Sequence, residues 1–497
     1  MRLSELFDEK EKDPVAIAAE DFEVTGLTAD SRRVRQGYLF AAIPGHQQDG
    51  RAFIGEAMAR GAVAILAPSG THIEDRDRLK SNARPVLLIC DDEPRRRLAL
   101  MAALFYKQQP RHIAAVTGTN GKTSVASFTR QIWTALGRRA ASLGTLGLQP
   151  PRADAPAALT TPDPVELMRC LADLAGDGFD HLAMEASSHG LDQFRLDGVR
   201  VSAAAFTNLS RDHLDYHADM AGYFAAKQRL FTELLPQGAT AVLNADIPEF
   251  EALAAGCRAR GQRVLSYGTA GRDLKLLSLT PRPGRLDLEV EVLGLGRALS
   301  LPLAGTFQAW NALAALGLVL AETGDLEAAL DSLSGLTGVP GRVELVGQTA
   351  QGAHVYVDYA HTPDALETVL RALRPHTRGA LTVVFGCGGD RDPGKRPMMG
   401  EIARRLADRS IVTDDNPRSE EPAAIRHAIL TAVPEAIEFD DRGEAIASAI
   451  ASLGPGDTLV IAGKGHETGQ TVGDRVLPFD DRVVARAALS SLAGGRP

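Results

Sequence analysis

Long apolar runs are missing from this 497-residue sequence. The longest uninterrupted stretch of small and apolar residues covers 312–321, far short of the roughly 20 residues that a membrane-spanning helix needs. The first ten residues, MRLSELFDEK, also lack the apolar segment of a signal peptide. We therefore expect no membrane contact and a cytoplasmic location.

Cysteine is also scarce, and basic residues are outnumbered by acidic ones. The four cysteines show no CxxC spacing, which argues against a disulfide framework or a zinc cluster and indicates reduced thiols: Cys90, Cys170, Cys257 and Cys387. Lysine and arginine total 54 against 63 aspartates and glutamates, a net charge of -9. This balance argues against a general nucleic-acid binder. An anionic ligand must therefore be held by a local site.

The length is typical of about three domains. Polar and proline residues at 108–111 and a Gly/Pro-rich stretch at 334–341 interrupt the pattern, which predicts domains at 1–109, 110–337 and 338–497. Short apolar runs alternate with helix-length segments, for example Tyr38–Ile43, Leu381–Phe385 and Thr458–Ala462. Such alternation predicts α/β domains with mostly parallel, doubly wound sheets, whose ligands bind at the carboxyl ends of the strands.

A phosphate-binding loop is the strongest local motif. The apolar run 112–116 leads into TGTNGKTS at 117–124, which is followed by helical residues 125–136. A strand, a glycine-rich turn and a helix start direct backbone N–H groups at phosphates, while the lysine adds charge and the threonine can hold Mg²⁺. Valine occupies position 116, where the usual GxxxxGK[ST] spacing has glycine, so the loop is a shorter variant. Any glycine-rich turn between strand and helix is the plainer alternative.

The base of the nucleotide is predicted to be adenine. Guanine recognition in GTPases uses Asn-Lys-x-Asp, and the nearest candidate here, Asn244-Ala245-Asp246, lacks the lysine. The sequence therefore favours ATP as the nucleotide.

Six motifs together resemble the Mur ligases. In chain order they are the phosphate loop, EASSH at 185–189, TNLSRDHLDYH at 207–217, NALAA at 311–315, DYAHTPD at 358–364 and GCGGDRD at 386–392. Within the family, the chain is most similar to the branch that adds meso-diaminopimelate to UDP-MurNAc-L-Ala-D-Glu for peptidoglycan. The resemblance implies a UDP-sugar-binding first domain, a central P-loop-like ATPase domain and a Rossmann-like third domain that receives the amino acid.

The implied chemistry is ATP-driven amide formation through an acyl phosphate. A carboxylate is a poor acyl donor, and phosphorylation supplies a better leaving group before the amine attacks. The implied partners are these small molecules and Mg²⁺, with no nucleic acid and no membrane, and the enzyme is expected to be a monomer.

The resemblance also assigns residues to ATP and metal. The catalytic residues are Lys122, Lys227 and His213. ATP is assigned to Gly118, Thr119, Asn120, Gly121, Lys122, Thr123, Ser124, Asn311, Arg342, Asp358 and Lys395. Metal is assigned to Thr123, Glu185, His213 and a CO₂-derived carbamate on Lys227.

Plainer roles remain open for several of these residues. Glu185 could merely cap the next helix, and Lys227 could be a solvated lysine on an amphipathic helix. Arg342 and Asp358 could form an ordinary ion pair.

The other two substrates are assigned in the same way. The resemblance assigns UDP-sugar-peptide binding to Ser31, His46, Gln47, Thr160, Thr161, Ser187, Gln193 and Arg195. Polar residues at such places also form simple turns, which is the plainer alternative for each. The resemblance assigns diaminopimelate binding to Arg391, Asp415, Asn416, Pro417, Arg418, Gly463 and Glu467.

Arg418 is the most discriminating of these residues. Lysine-adding relatives resemble the Asp415–Arg418 motif but lack the arginine. Diaminopimelate differs from lysine by one distal carboxylate, and a guanidinium can bind a carboxylate with two hydrogen bonds. Glu467 would complement the distal amine. A surface arginine after an Asn-Pro turn is the plainer reading.

Four rival functions stay open at this point. A lysine-adding Mur ligase and a folylpolyglutamate synthetase share the central chemistry. A P-loop switch would bind nucleotide without substrate-dependent turnover, and a generic hydrolase would release phosphate without an amine acceptor.

Overall fold

A computed structural model describes residues 1–7, 21–45, 48–73, 86–152, 159–210 and 216–494. The chain divides into two compact units. The first comprises 1–243 and 247–265, and the second comprises 244–246 and 266–497.

The first unit begins with a four-stranded parallel sheet. Its strands, in spatial order, are β1 (Gly26–Thr28), β2 (Tyr38–Ala41), β3 (Ala64–Pro68) and β4 (Leu87–Asp91). The helices are α1 (Ile54–Ala59) and α2 (Pro94–Tyr106). Proline at the start of α2 suits the first turn of a helix, where its missing N–H has no intrahelical partner.

A second, larger sheet follows in the same unit. Its strands are β5 (His112–Thr117), β6 (Ala140–Gly144), β7 (Gly147–Gln149), β8 (His181–Glu185), β9 (Ala203–Phe206) and β10 (Thr240–Asn244). They lie in the order β10-β9-β5-β8-β6-β7, parallel except for β7. The helices are α3 (Lys122–Ala135), α4 (Pro164–Gly176), α5 (Ser188–Asp192), α6 (Met220–Arg229) and α7 (Phe250–Ala259).

The central strand of this sheet is buried along almost its whole length. Residues 113–117 of β5 are all buried, as expected for a parallel strand covered by helices on both faces. Such burial fixes the end of β5, and therefore the loop that follows it.

An antiparallel ribbon of three strands lies near the start of the second unit, after a short parallel pairing with a strand whose residues 266–268 belong to this unit. Strand β11 (Arg263–Gly268) pairs through its last two residues with β12 (Leu274–Arg282), which continues antiparallel into β13 (Arg285–Val292) and β14 (Leu295–Leu301). The alternating burial of β13 places one face of this ribbon on a core. The helices α8 (Phe307–Leu320) and α9 (Leu326–Ser332) follow.

A six-stranded sheet forms the rest of the second unit. Its strands are β15 (Glu344–Gln348), β16 (His354–Asp358), β17 (Leu381–Phe385), β18 (Arg409–Val412), β19 (Ile437–Glu438) and β20 (Thr458–Ala462). They lie in the order β15-β16-β20-β17-β18-β19, parallel except for β15. A separate hairpin comprises β21 (Gly469–Val472) and β22 (Arg475–Pro478).

Helices cover both faces of the six-stranded sheet. Two apolar cores flank it: one draws on α10 (Pro363–Leu373), α11 (Lys395–Leu406) and α12 (Pro422–Leu430), and the other on α13 (Arg442–Ala451) and α14 (Asp481–Gly494). This doubly wound arrangement is the Rossmann-like layout predicted for the third domain.

The predicted fold class is confirmed. The run Leu381–Phe385 is β17 and the run Thr458–Ala462 is β20, while the predicted strand Tyr38–Ile43 ends two residues early as β2. Among the described residues, every helix is too short or too polar to cross a membrane. The boundaries at 109/110 and 337/338 stay predictions.

Candidate active site

The phosphate loop lies where the sequence places it. Strand β5 ends at Thr117, and α3 begins at Lys122 after a left-handed Gly121 with φ +87°. The N–H groups of the first turn of a helix have no acceptor within the helix, so they are available to phosphate oxygens. Val116 is still part of β5, paired with Glu185 of β8, which explains why this loop is shorter than the usual motif.

The segment after β9 braces this loop. Thr207 Oγ1 donates to Asn120 O at 2.6 Å, and Asn120 N donates to Asn208 Oδ1 at 2.9 Å. A Cβ at position 118 would lie 1.9 Å from Thr207 Oγ1, and Gly118 has φ +138°. Only glycine fits there.

Two lysines converge on one carbonyl oxygen. Lys122 Nζ donates to Gly118 O at 3.0 Å and to Thr119 O at 2.8 Å. Lys227 Nζ donates to the same Gly118 O at 2.7 Å. The predicted catalytic lysines are therefore neighbours at the phosphate loop.

Lys227 is not a solvated surface lysine. It lies on α6, is 1% exposed, and its Nζ lies 4.3 Å from the ring centre of Tyr223. Burial of an ammonium is costly unless its environment compensates the charge. The plainer reading of this position is therefore wrong.

Glu185 lies at the carboxyl end of β8 and is 2% exposed. Its Oε1 accepts from Thr145 N at 2.7 Å and its Oε2 from Thr145 Oγ1 at 3.1 Å. The cap of the next helix, α5, is Ser187, whose Oγ accepts from Gly190 N at 3.0 Å. Glu185 is thus free of a capping role.

Five of the eight residues predicted to hold the sugar-peptide cluster near this carboxylate. Thr161 Oγ1 donates to Glu185 O at 3.0 Å and accepts from Ser187 N at 3.1 Å. Arg195 donates to Thr161 O at 2.6 Å and to Gln193 Oε1 at 2.8 Å, and burial lowers the pKa of Arg195. The cluster is completed by Thr160, whose hydroxyl lies 3.2 Å from Thr145 Oγ1.

Other residues in the first unit have different surroundings. Ser31 Oγ donates to Glu56 Oε2 at 3.2 Å, within the four-stranded region. His46, Gln47 and His213 lie outside the described residues. Thr123 and Ser124 are buried in the first turn of α3.

The remaining predicted ATP residues belong to the second unit. Asn311 is buried on α8, and its amide donates to Gln308 Oε1 at 2.8 Å. Lys395 begins α11, and its Nζ donates to His361 O at 2.9 Å. Arg342 lies over the ring of Tyr359 at 4.9 Å.

Asp358 is held by backbone donors. Its two carboxylate oxygens accept from Val343 N and Ala360 N, each at 2.7 Å. Burial raises the pKa of Asp358 to about 6, although nearby Arg342 opposes the shift. Asp358 therefore fixes the backbone next to Arg342.

Arg418 lies where three loops meet at the carboxyl ends of β17, β18 and β20. Its side chain is half-buried, and Nη1 donates to Gly389 O at 2.8 Å. Its backbone N donates to Thr471 O at 3.0 Å. It is not a freely solvated arginine. Arg391 on the β17 loop is exposed and donates to Asp390 O at 3.2 Å.

Other predicted amino-acid ligands adjoin it. Asn416 Nδ2 donates to Glu467 Oε2 at 3.0 Å. A Cβ at position 463 would lie 2.5 Å from Asp415 Oδ2, and Gly463 has φ +117°, so only glycine lets the β20 loop approach the β18 loop so closely. Pro417 is buried between Asn416 and Arg418.

Sequence reasoning missed two buried cations in this region. Lys464 Nζ donates to Asn416 Oδ1 and to Glu467 Oε2, both at 3.0 Å. Arg442 pairs with Asp481 at 2.7 Å, both fully buried, and donates to Ala462 O at 2.9 Å. The run AGKGHE at 462–467 directly after a strand is the signal that could have found Lys464.

Comparison with known proteins accounts for this arrangement. Three family models match in succession: Mur ligase family, catalytic domain, over 23–106; Mur ligase middle domain over 116–319; and Mur ligase, glutamate ligase domain, over 341–465. The chain belongs to the Mur ligase family. The predicted family is thus confirmed, and this Mur ligase has its phosphate loop in the middle-domain match.

Individual relatives agree with this assignment. The chain is 53% identical to the UDP-N-acetylmuramoyl-L-alanyl-D-glutamate–2,6-diaminopimelate ligase of Caulobacter vibrioides, with 99% of each chain covered. A solved structure of an enzyme with that name is 32% identical, covers 99% of this chain and 100% of its own, and has a TM-score of 0.72. The Mycobacterium tuberculosis folylpolyglutamate synthase complexed with ADP and AMPPCP is 23% identical, covers 81% of this chain and 95% of its own, and has a TM-score of 0.60. That likeness shows the fold alone.

Proposed function

We propose that this Mur ligase joins meso-diaminopimelate to UDP-MurNAc-L-Ala-D-Glu at the expense of ATP, in peptidoglycan precursor synthesis. The observation that carries the proposal is Arg418, held half-buried among three strand-end loops with Asn416 and Glu467 beside it. A guanidinium and a carboxylate suit the distal carboxylate and ammonium of diaminopimelate. The name of the 53% identical relative gives the same amino acid.

The proposed reaction has two steps. One carboxylate of the glutamate that ends the sugar-peptide attacks the γ-phosphorus of ATP. This step forms an acyl phosphate and releases ADP. The amine of diaminopimelate then attacks the acyl carbon, which forms the amide and releases phosphate and a proton. Lys122 and the N–H groups at the start of α3 would hold phosphate oxygens during the first step.

The donor set near the phosphate loop fits Mg²⁺. Carboxylates and hydroxyls are oxygen ligands that suit this hard cation. Glu185 supplies a carboxylate at the end of β8, and Thr123 supplies a hydroxyl in the first turn of α3. Thr145 already donates to both oxygens of Glu185, which fixes the carboxylate before any ion binds. Mg²⁺ there would offset phosphate charge, and His213 is retained as a further proposed ligand.

A carbamate on Lys227 also fits. Two ammonium groups on Gly118 O repel each other in a buried setting, and carbamylation of Lys227 replaces one positive charge with a negative one. A carbamate keeps one N–H, so the hydrogen bond to Gly118 O can persist. The resulting carboxylate would be a second anionic oxygen donor for metal.

The domain roles remain part of the proposal. Residues 1–109, with Ser31, His46 and Gln47, would bind the UDP moiety, 110–337 would bind ATP, and 338–497 would bind the amino acid. Thr160, Thr161, Ser187, Gln193 and Arg195 would hold the sugar-peptide, and Asn311, Arg342, Asp358 and Lys395 are proposed to bind ATP. We further propose that the enzyme acts in the cytoplasm as a monomer.

The test is phosphate release by the purified protein with ATP, Mg²⁺ and UDP-MurNAc-L-Ala-D-Glu. Meso-diaminopimelate and L-lysine are added to separate parallel reactions, and the product is identified by mass spectrometry. We expect release and a tripeptide product that depend on diaminopimelate. Turnover with lysine alone would refute the amino-acid assignment, and release without any amine would point to a hydrolase.

A further inference from the structure

The buried ammonium of Lys464 has no part in the reaction described so far. It follows β20, and its side chain is 0% exposed. Its Nζ donates to Asn416 Oδ1 and Glu467 Oε2, both at 3.0 Å. A group so buried does not touch substrate itself, so any effect on the reaction must pass through these two partners.

Lys464 fixes the orientation of the Asn416 amide. Asn416 Oδ1 accepts from Lys464 and also from Thr471 N at 2.9 Å, whereas Nδ2 donates to Glu467 Oε2 at 3.0 Å. A flipped amide would turn its NH₂ group toward two donors. Lys464 and Thr471 N together therefore hold Oδ1, so that Nδ2 of Asn416 meets Glu467.

Lys464 also makes the two oxygens of the Glu467 carboxylate different. Oε2 accepts from both Asn416 and Lys464, while Oε1 accepts no hydrogen bond from the described residues. The Glu467 side chain is 34% exposed. One oxygen is thus anchored to the protein, and the other is left for a ligand ammonium.

The charge of Lys464 offsets that of Glu467. Without the ammonium, the carboxylate would lose its ion-pair partner, and its negative charge would attract the cationic end of an amino acid more strongly. The distal end of diaminopimelate is a zwitterion, whereas the end of lysine is a bare ammonium. Loss of Lys464 should therefore favour lysine as well as loosen diaminopimelate.

We propose that Lys464 is a positioning residue that sets amino-acid selectivity by orienting Asn416 and Glu467 and balancing the charge of Glu467. The inference rests on the proposed function, since it concerns the same amino-acid site. Its partners were assigned to diaminopimelate above, but Lys464 itself was not.

The experiment compares steady-state kinetics of the full-length enzyme and Lys464→Met with diaminopimelate and with lysine. We expect the KM for diaminopimelate to rise about tenfold, because hydrogen bonds to charged groups are lost. The kcat and the KM for ATP should change less than about threefold, and the diaminopimelate-to-lysine ratio of kcat/KM should fall at least about tenfold. The exposed Lys275 on β12 supplies the matched control, Lys275→Met, which should leave all values unchanged.

Two further variants separate charge from packing. Lys464→Met/Glu467→Gln removes both charges, so it should recover part of the lost selectivity, whereas a purely structural role predicts a ratio as low as or lower than in Lys464→Met. Lys464→Arg keeps the charge and should retain the ratio even if the larger group weakens both amino acids. It carries the test if Lys464→Met fails to fold by thermal melting.

The outcomes are distinct. An unchanged diaminopimelate KM and ratio in folded Lys464→Met, or an equal loss of ratio in Lys464→Arg, overturns the role of Lys464 alone. A wild-type enzyme without diaminopimelate-dependent turnover overturns the proposed function and this inference with it.

Discussion

The phosphate loop and the Arg418 region both follow the carboxyl ends of parallel strands, but they hold their charged groups differently. At the phosphate loop, Lys122 and Lys227 both donate to the backbone carbonyl of Gly118, which lies in the loop 117–124. Around Arg418, the side chains of Asn416, Lys464 and Glu467 bind one another across the loops that follow β18 and β20. At the first site the ammonium groups bind backbone carbonyls, and at the second the ammonium of Lys464 binds other side chains.

The difference predicts how each site responds to substitution. Phosphates are the same in every reaction of an ATP-dependent family, so a backbone cradle suits them. Amino acids differ in a side chain, and a network of side chains can be altered without changing the fold. Damage at the loop should therefore abolish turnover, whereas damage at the network should change selectivity.

The largest effect is expected at the phosphate loop. Lys122→Met removes the charge beside Gly118 O and Thr119 O, and turnover should fall about 1000-fold because phosphate charge loses its compensation. Phosphate release measures this, with thermal melting as the control for folding. Retention of a tenth of the activity would remove Lys122 from the site.

Lys227→Ala should have the next largest effect. We expect turnover to fall about 100-fold while ADP affinity, measured by calorimetry, changes little. Wild-type turnover should also fall in CO₂-depleted buffer and return with bicarbonate. The exposed Lys275→Ala serves as the control, and insensitivity to bicarbonate would contradict the carbamate.

Arg418→Ala should change amino-acid selectivity and leave ATP-driven turnover intact. The ratio of kcat/KM for diaminopimelate over lysine should fall about tenfold or more, because the bidentate partner of the extra carboxylate is lost. ADP affinity should stay the same. Arg475, exposed on β22, provides the control Arg475→Ala, and the assignment fails if both variants keep the wild-type ratio.

The smallest effect concerns stability rather than turnover. Because burial raises the pKa of Asp358 from 3.8 to about 6, the folded protein binds more protons than the unfolded chain between these values. Wild-type stability therefore falls as pH rises through this window, and the full cost is present above pH about 6. Asp358→Asn lacks that cost, although it loses one acceptor for Val343 N or Ala360 N.

The free energy of unfolding of Asp358→Asn relative to wild type should thus increase from pH 4 to pH 7, by at most about 3 kcal/mol. Urea denaturation at pH 4.5, 5.5 and 7 measures the gap. A gap independent of pH would show that Asp358 ionises normally.

The sequence predicted the phosphate loop from spacing because its parts are neighbours in the chain. Residues 117–124 contain the turn, the lysine and the helix start, so local chemistry was sufficient. The brace from Thr207 and Asn208 was not evident, because it depends on β9 lying next to β5.

The Arg418 network could be predicted only in part. Resemblance supplied Asn416, Arg418 and Glu467 as separate residues, but their contacts depend on the strand order β20-β17-β18. In the sequence, Lys464 lies between two glycines, a pattern typical of a solvated loop residue. Only the folded sheet shows that Lys464 is enclosed and paired.

Arg418 has a left-handed backbone conformation. Its φ of +52° places it in the left-handed region, which favours glycine and asparagine over arginine. Selection for stability alone would therefore replace it, since Arg418→Asn relieves local strain of about 1 kcal/mol. Under the proposed role of Arg418, an arginine at this position gives up stability for selectivity. Directed evolution toward thermostability is then expected to reduce amino-acid selectivity before it reduces catalysis.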